Sequence, residues 1–157
     1  MSAELRARLV TTALQWETAF GVAPAITSAV SEYDAAILLG STAQAYGASR
    51  STRTAVSRGH DFVFQNKRYQ VKANRPSGKR GCFVTLVGKP RNYDWDFLIW
   101  ILYDRNFQMQ EAWLWSVQQY RSQLGTKTRI SPHDMRAGRC LFPALTTDTT
   151  PMVLEST

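Results

Sequence analysis

Cysteine is almost missing from this chain: Cys82 and Cys140 are the only two in 157 residues. They lie far apart and without metal-ligand spacing, which excludes a disulfide scaffold and a zinc ribbon as organisers of the fold. Long apolar runs are missing as well. No stretch approaches the ~18 residues that a bilayer-spanning helix needs. The opening MSAELRARLVTTALQWE has no continuous apolar core of the secretory-signal kind. Few cysteines and no such signal give the expectation of a soluble protein in a reducing cytoplasm, with no membrane partner. No internal repeat is present. Neither Gly-Lys pair, Gly78-Lys79 or Gly88-Lys89, sits in a GxxxxGK[ST] phosphate loop, because Arg80 or Pro90 follows the lysine.

What the chain does have is apolar and aromatic side chains, 44% and 11% with five Trp, which excludes a wholly disordered protein. The length suits one core and not two. The expected organisation is a single domain over 1–145, followed by a Thr- and Pro-containing tail over 146–157 that frays.

Acid is scarce in one place. Between Arg50 and Arg91 there are eleven basic residues and a single acid, Asp61, a charge of +10; the whole chain is +7, so the remainder carries −3. Charge concentrated in this way commonly tracks a phosphate backbone, although a solvated Arg-rich surface gives the same count.

The residue pattern predicts helices over 2–20, with Leu5, Leu9, Leu14 and Trp16 at near-helical spacing, and over 25–39, ended by Gly40. Residues 41–59 read as a small, polar, basic loop. Strands are expected over 61–65, 68–74, 82–88, 96–103 and 107–115, and short helices over 116–124 and 132–138, the last started by Ser131-Pro132. The fold class is therefore α+β: a mixed, about five-stranded sheet with two N-terminal helices and short C-terminal ones. Trp95, Trp100, Trp113 and Trp115, with Tyr93 and Tyr103, are expected in the core. Asp96 and Glu111 are expected to face solvent, with a place at the candidate site as the alternative.

The first two strands make a geometric prediction. With Asn66-Lys67 as a two-residue turn, Asp61 lies opposite Lys72. Alternation puts Arg68, Gln70, Lys72 and Asn74 on one face, and Tyr69, Val71 and Ala73 on the other. Asp61, Gln70 and Lys72 then converge within ~5–8 Å. An exposed cross-strand ion pair between Asp61 and Lys72, with Gln70 as its polar neighbour, fits the same pattern.

Asp61, eight intervening residues and then Gln70-Val71-Lys72 resembles the active-site signature of the PD-(D/E)XK nuclease superfamily, the restriction endonuclease-like fold. The resemblance covers roughly residues 26–115. Gln70 stands where an acid is usual, as in the QXK motif of Mrr-type restriction nucleases, and His60 stands where a Pro is common. The resemblance implies a three-layer, α/β-like core and a Mg²⁺-dependent DNA endonuclease, with Mn²⁺ as a substitute metal. Asp61, Gln70, the Val71 main-chain carbonyl and Glu32 on the preceding helix would hold the metal, and Lys72 would be the catalytic cation. A neutral amide is a weaker ligand for hard Mg²⁺ than a carboxylate, so Glu32 would compensate. A homodimer cutting both strands is implied by the small size.

Around that motif, Arg50, Arg53, Arg58, Asn74, Arg75, Lys79 and Arg80 are candidates for contact with nucleic acid, DNA first and RNA second. His60 is a candidate general base, with a structural histidine as its alternative. Two other functions fit the chain: a nucleic-acid-binding protein on this fold that Gln70 has made inactive, and a protein-interaction module docking through its Trp-rich sheet.

Overall fold

The computed structural model describes residues 2–51 and 59–143. The N-terminal helix α1 (Ser2–Phe20) turns one face inward through Arg6, Val10, Ala13 and Glu17, and ends where Gly21 takes a positive φ. Helix α2 (Thr27–Leu38) buries Val30, Asp34, Ala35 and Ala36. It stops at Gly40, whose positive φ lets the Gly40 amide reach the Ile37 carbonyl and the Ser41 amide reach that of Ala36.

The expected loop over 41–59 is in its first half a third helix, α3 (Ala43–Ser51). Thr42 starts it by accepting the Ala45 amide on its hydroxyl at 3.0 Å. Tyr46 docks it, edge-on to Tyr33 and Phe62 with ring centroids 5.8 and 6.2 Å away. Alanines supply helix propensity where no apolar stripe advertises a helix.

Five strands follow: β1 (Phe62–Phe64), β2 (Lys67–Asn74), β3 (Phe97–Tyr103), β4 (Met109–Ser116) and, after two helices, β5 (Arg139–Phe142). They lie side by side in chain order, with β2 and β3 parallel and every other pair antiparallel. The protein is thus α+β with a mixed, open, five-stranded sheet. The expected strand over 82–88 does not form: only Val87 makes a bridge, to Ile130. Its place as fifth strand is taken by β5, which was not foreseen. An apolar run becomes a strand only where a partner strand takes its hydrogen bonds, and residues 82–86 lie beside no strand among the described residues.

The two-residue turn is Gln65-Asn66, both at positive φ, and not Asn66-Lys67. The pairs are Phe62↔Tyr69, Val63↔Arg68 and Phe64↔Lys67, which puts Asp61 opposite Gln70 and corrects the expected pairing with Lys72. A slip of two residues preserves the face of every side chain, so the predicted two-faced division of β2 stands: Tyr69 and Val71 are buried while Arg68, Gln70 and Lys72 are not.

Strand β3 is central and covered on both sides. Ile99, Ile101 and Tyr103 join Val10, Val30 and Ala36 beneath α1 and α2. Leu98 and Trp100 join Trp95, Trp115, Tyr120, Leu124 and Met135 on the other side. That second layer is made by helices α4 (Val117–Leu124) and α5 (Pro132–Met135), the latter started by a Ser131–Asp134 capping box. Each buried side chain of this size contributes roughly 1.5–3 kcal/mol, so both layers are needed. Tyr93 departs from the expected core position; it lies at the surface, with Arg121 4.8 Å above its ring. Asp96 and Glu111 are partly exposed and ion-paired, to Arg68 and Arg136. Among the described residues no helix is long and apolar enough to cross a membrane. The tail expected over 146–157 lies outside the described residues.

Candidate functional site

Asp61 stands just before β1, at the edge where α2 crosses β2. Gly59, two residues earlier, has a φ of +101°, and a Cβ there would come 2.7 Å from the Asp94 Cβ, so this approach to the strand requires glycine. The Asp61 amide donates to the Tyr69 carbonyl at 2.7 Å. Its carboxylate accepts on one oxygen, Oδ2, from the Val71 amide at 2.7 Å and from Gln70 Nε2 at 2.8 Å. The backbone of β2 therefore orients the acid in advance, as the residue opposite Gln70 in the ladder.

Glu32 approaches from α2. It is mostly buried, and its Oε2 accepts from Arg50 Nη1 at 2.9 Å. The same nitrogen donates to the Asp61 main-chain carbonyl at 2.6 Å. One guanidinium nitrogen thus ties the end of α3 to both acid-bearing segments. Asp61, Glu32, Gln70 and Lys72 all line a single cavity of about 240 Å³, whose remaining wall includes Thr27, Ser28 and Ser31. No ion pair joins Lys72 to an acid among the described residues, so the expected alternative of an Asp61–Lys72 pair is not the arrangement seen.

The donor set is entirely oxygen: two carboxylates, the Gln70 amide carbonyl and the Val71 main-chain carbonyl. Mg²⁺ is commonly held by one or two carboxylates while keeping several waters, and this set with its polar cavity fits that requirement. Among the described residues no three His, Cys, Asp or Glu side chains gather as a denser metal cluster. Gln70 presents its nitrogen to Asp61, so its amide must turn over before its oxygen can share a cation with that carboxylate.

The other candidate residues divide. Lys79 and Arg80 are exposed. Arg75 is turned inward: it pairs with Glu17 at 2.6 Å, donates twice to the Arg105 carbonyl and lies 4.6 Å from the centre of the Phe107 ring. Asn74 also has internal partners, accepting from Trp100 Nε1 at 2.9 Å and donating to the Leu86 carbonyl at 3.1 Å. Both residues anchor the basic loop. Arg53 and Arg58 lie outside the described residues. His60 is partly buried beside Asp61.

The part of the wall from Thr27, Ser28 and Ser31 was not foreseen; only Ser28, one turn before Glu32, shares its side of α2 by helical spacing and could have been found that way. Arg50 as the partner of Glu32 had no signal, because it depends on α3 being a helix. No protein-family model matches the chain, and no curated protein matches it in sequence.

Proposed function

We propose that the protein is a Mg²⁺-dependent DNA endonuclease of restriction endonuclease-like fold, with RNA as a secondary substrate class and a homodimer as the cutting form. One observation carries this reading: an acid preceding one strand, the Gln-X-Lys triplet on its partner and a helix-borne glutamate line one polar cavity in the most cationic part of the chain. Asp61, Glu32, the Gln70 carbonyl and the Val71 carbonyl would hold the metal. When bound, Mg²⁺ supplies Lewis-acid polarisation of the scissile phosphate and a more acidic water. Asp61 contributes an oriented carboxylate whose position the Val71 amide fixes before substrate arrives. Lys72 contributes a positive charge at the cavity wall, where negative charge accumulates as the phosphodiester is attacked. Lys79 and Arg80 contact the phosphate backbone and place the strand. The two free cysteines accord with a reducing, cytoplasmic setting.

The test is incubation with supercoiled plasmid and single-stranded DNA in Mg²⁺, Mn²⁺ or EDTA. Cleavage is expected with either metal and not with EDTA. Asp61→Ala and Lys72→Ala should each lower it at least ~100-fold while DNA binding persists. Undiminished cleavage by both variants would overturn the assignment. A second reading, binding without hydrolysis, is favoured by one feature: Gln70 and Arg50 already occupy oxygens of both acids. It predicts salt-sensitive binding with no metal-dependent product.

A further inference from the structure

The loop joining β2 to β3 carries a feature that the cavity does not use. Phe83 is 83% exposed, the most exposed of the large apolar side chains among the described residues. An aromatic ring left in water keeps its π-face open to a partner. From residue 75 to 91 there are five basic residues and no acid. Lys79 and Arg80 stand beside the ring in sequence and are exposed with it.

The loop is pinned at both roots. Arg75 is held by Glu17 and the Arg105 carbonyl at one end. Asn74 holds the Leu86 carbonyl, and the Val87 amide donates to Ile130 at the other. Gly78, at a φ of +72°, allows Arg105 to pack where a Cβ would come 2.8 Å from its Cδ. The Cys82 amide closes a turn on the Lys79 carbonyl at 3.0 Å. The returning limb passes the candidate site, since a Cβ on Gly88 would lie 3.8 Å from the Lys72 Cδ. A pinned loop thus exposes an aromatic ring a few residues after two exposed cations, Lys79 and Arg80, and its returning limb passes Lys72 at Gly88.

We propose that Phe83 is a base-stacking wedge, and that the loop binds nucleic acid at unpaired or unstacked bases. Lys79 and Arg80 hold the backbone while the ring stacks on a base, a combination that tolerates any sequence because every base has a π-face. The inference rests on the nucleic-acid reading above but needs no hydrolysis.

The test is therefore made in EDTA, by fluorescence anisotropy with a labelled single-stranded oligonucleotide and with the fully paired duplex, and by 2-aminopurine emission as a report of stacking. Phe83→Ala should weaken single-strand binding about tenfold, abolish the 2-aminopurine change and alter duplex binding less than twofold; Phe83→Trp should restore both signals. Lys79→Ala with Arg80→Ala should weaken both ligands alike. Equal single-strand affinity of Phe83→Ala and wild type would overturn the wedge while leaving nucleic-acid binding intact. Binding of duplex but never of single strands overturns it in the same way. Failure to bind any nucleic acid removes the underlying reading too. Phe83-dependent binding to anionic vesicles in its place would assign the ring to a membrane surface and overturn the proposal.

Discussion

Helix α2 carries two acids, Glu32 and Asp34, each paired with an arginine, in surroundings that differ in kind. Asp34 is buried and saturated. Arg6 donates to its two oxygens at 2.5 and 2.7 Å, and the Tyr103 hydroxyl donates to Oδ2 at 2.6 Å. Burial and the Asp34 charge push the Tyr103 hydroxyl well above its ordinary range, so it remains a donor. The hydrogen bond to Asp34 likewise raises the Arg6 guanidinium. That cluster ties α1, α2 and β3 together and encloses its charge. Glu32, two residues earlier and so on roughly the opposite face of α2, lines a polar cavity shared with Asp61, Gln70 and Lys72, and its arginine comes from the half-exposed end of α3. An acid enclosed by fixed donors holds a fold together; an acid on a cavity wall with an exposed partner can exchange that partner for a ligand.

The sharpest way to break this contrast is to remove each acid in turn. Asp34→Ala leaves the Arg6 charge and the Tyr103 hydroxyl without their acceptor. Loss of one member of a fully buried pair costs about 3–5 kcal/mol; because Arg6 retains some exposure, about 2–4 kcal/mol is expected here, read as a lower urea midpoint. Glu32→Ala should cost under ~1 kcal/mol, because Arg50 can turn to water. Equal losses in the two variants would show that Glu32 is as structural as Asp34.

A smaller effect is expected at Gln70. Gln70→Glu places a second carboxylate beside Asp61, where an amide now donates to it. Like charges on one wall repel until a cation offsets them. The variant should therefore bind Mn²⁺ about tenfold more tightly than wild type, measured by calorimetric titration, and be less stable in EDTA. Unchanged Mn²⁺ affinity would remove Gln70 from the metal-holding set.

Much of this geometry was legible in the sequence because period-2 alternation survives an even slip. The hairpin register differs by two residues from the expected one, yet Asp61, Gln70 and Lys72 still share a cavity. The helices over α1 and α2 and the buried strand β3 were legible from apolar spacing and run length. Strand β5 was hidden because Arg-Cys-Leu-Phe is too short to show a period. The false strand over 82–88 has the opposite cause: the apolar pattern is present and the partner strand is not. Helix α3 has no apolar stripe to mark it, so neither the helix nor the contact of Arg50 with Glu32 has a signal in the sequence. Tertiary partners, rather than local pattern, decide such cases.

The smallest effect concerns Asp134, an acid on the far side of the sheet whose carboxyl is drawn down to about 2, first by the Lys127 ammonium and then by the Ser131 amide. A perturbed carboxyl can mark a functional site, but this one has a structural cause, since it closes the box that starts α5 and accepts from Lys127 at 2.6 Å. Its folded-state affinity for protons lies below that of the unfolded chain, near 3.9. The stability it contributes is therefore fully present above ~4 and is lost as pH falls towards 2. Asp134→Asn should lower stability by about 1 kcal/mol from pH 5 to 8, and the gap from wild type should narrow as the pH falls from 4. Added salt should narrow it as well, because Lys127 is half-exposed. A gap that stays constant down to pH 2 would separate the carboxylate charge from the cap. Asp134 would then be an acid whose geometry, and not its ionisation, stabilises the second layer.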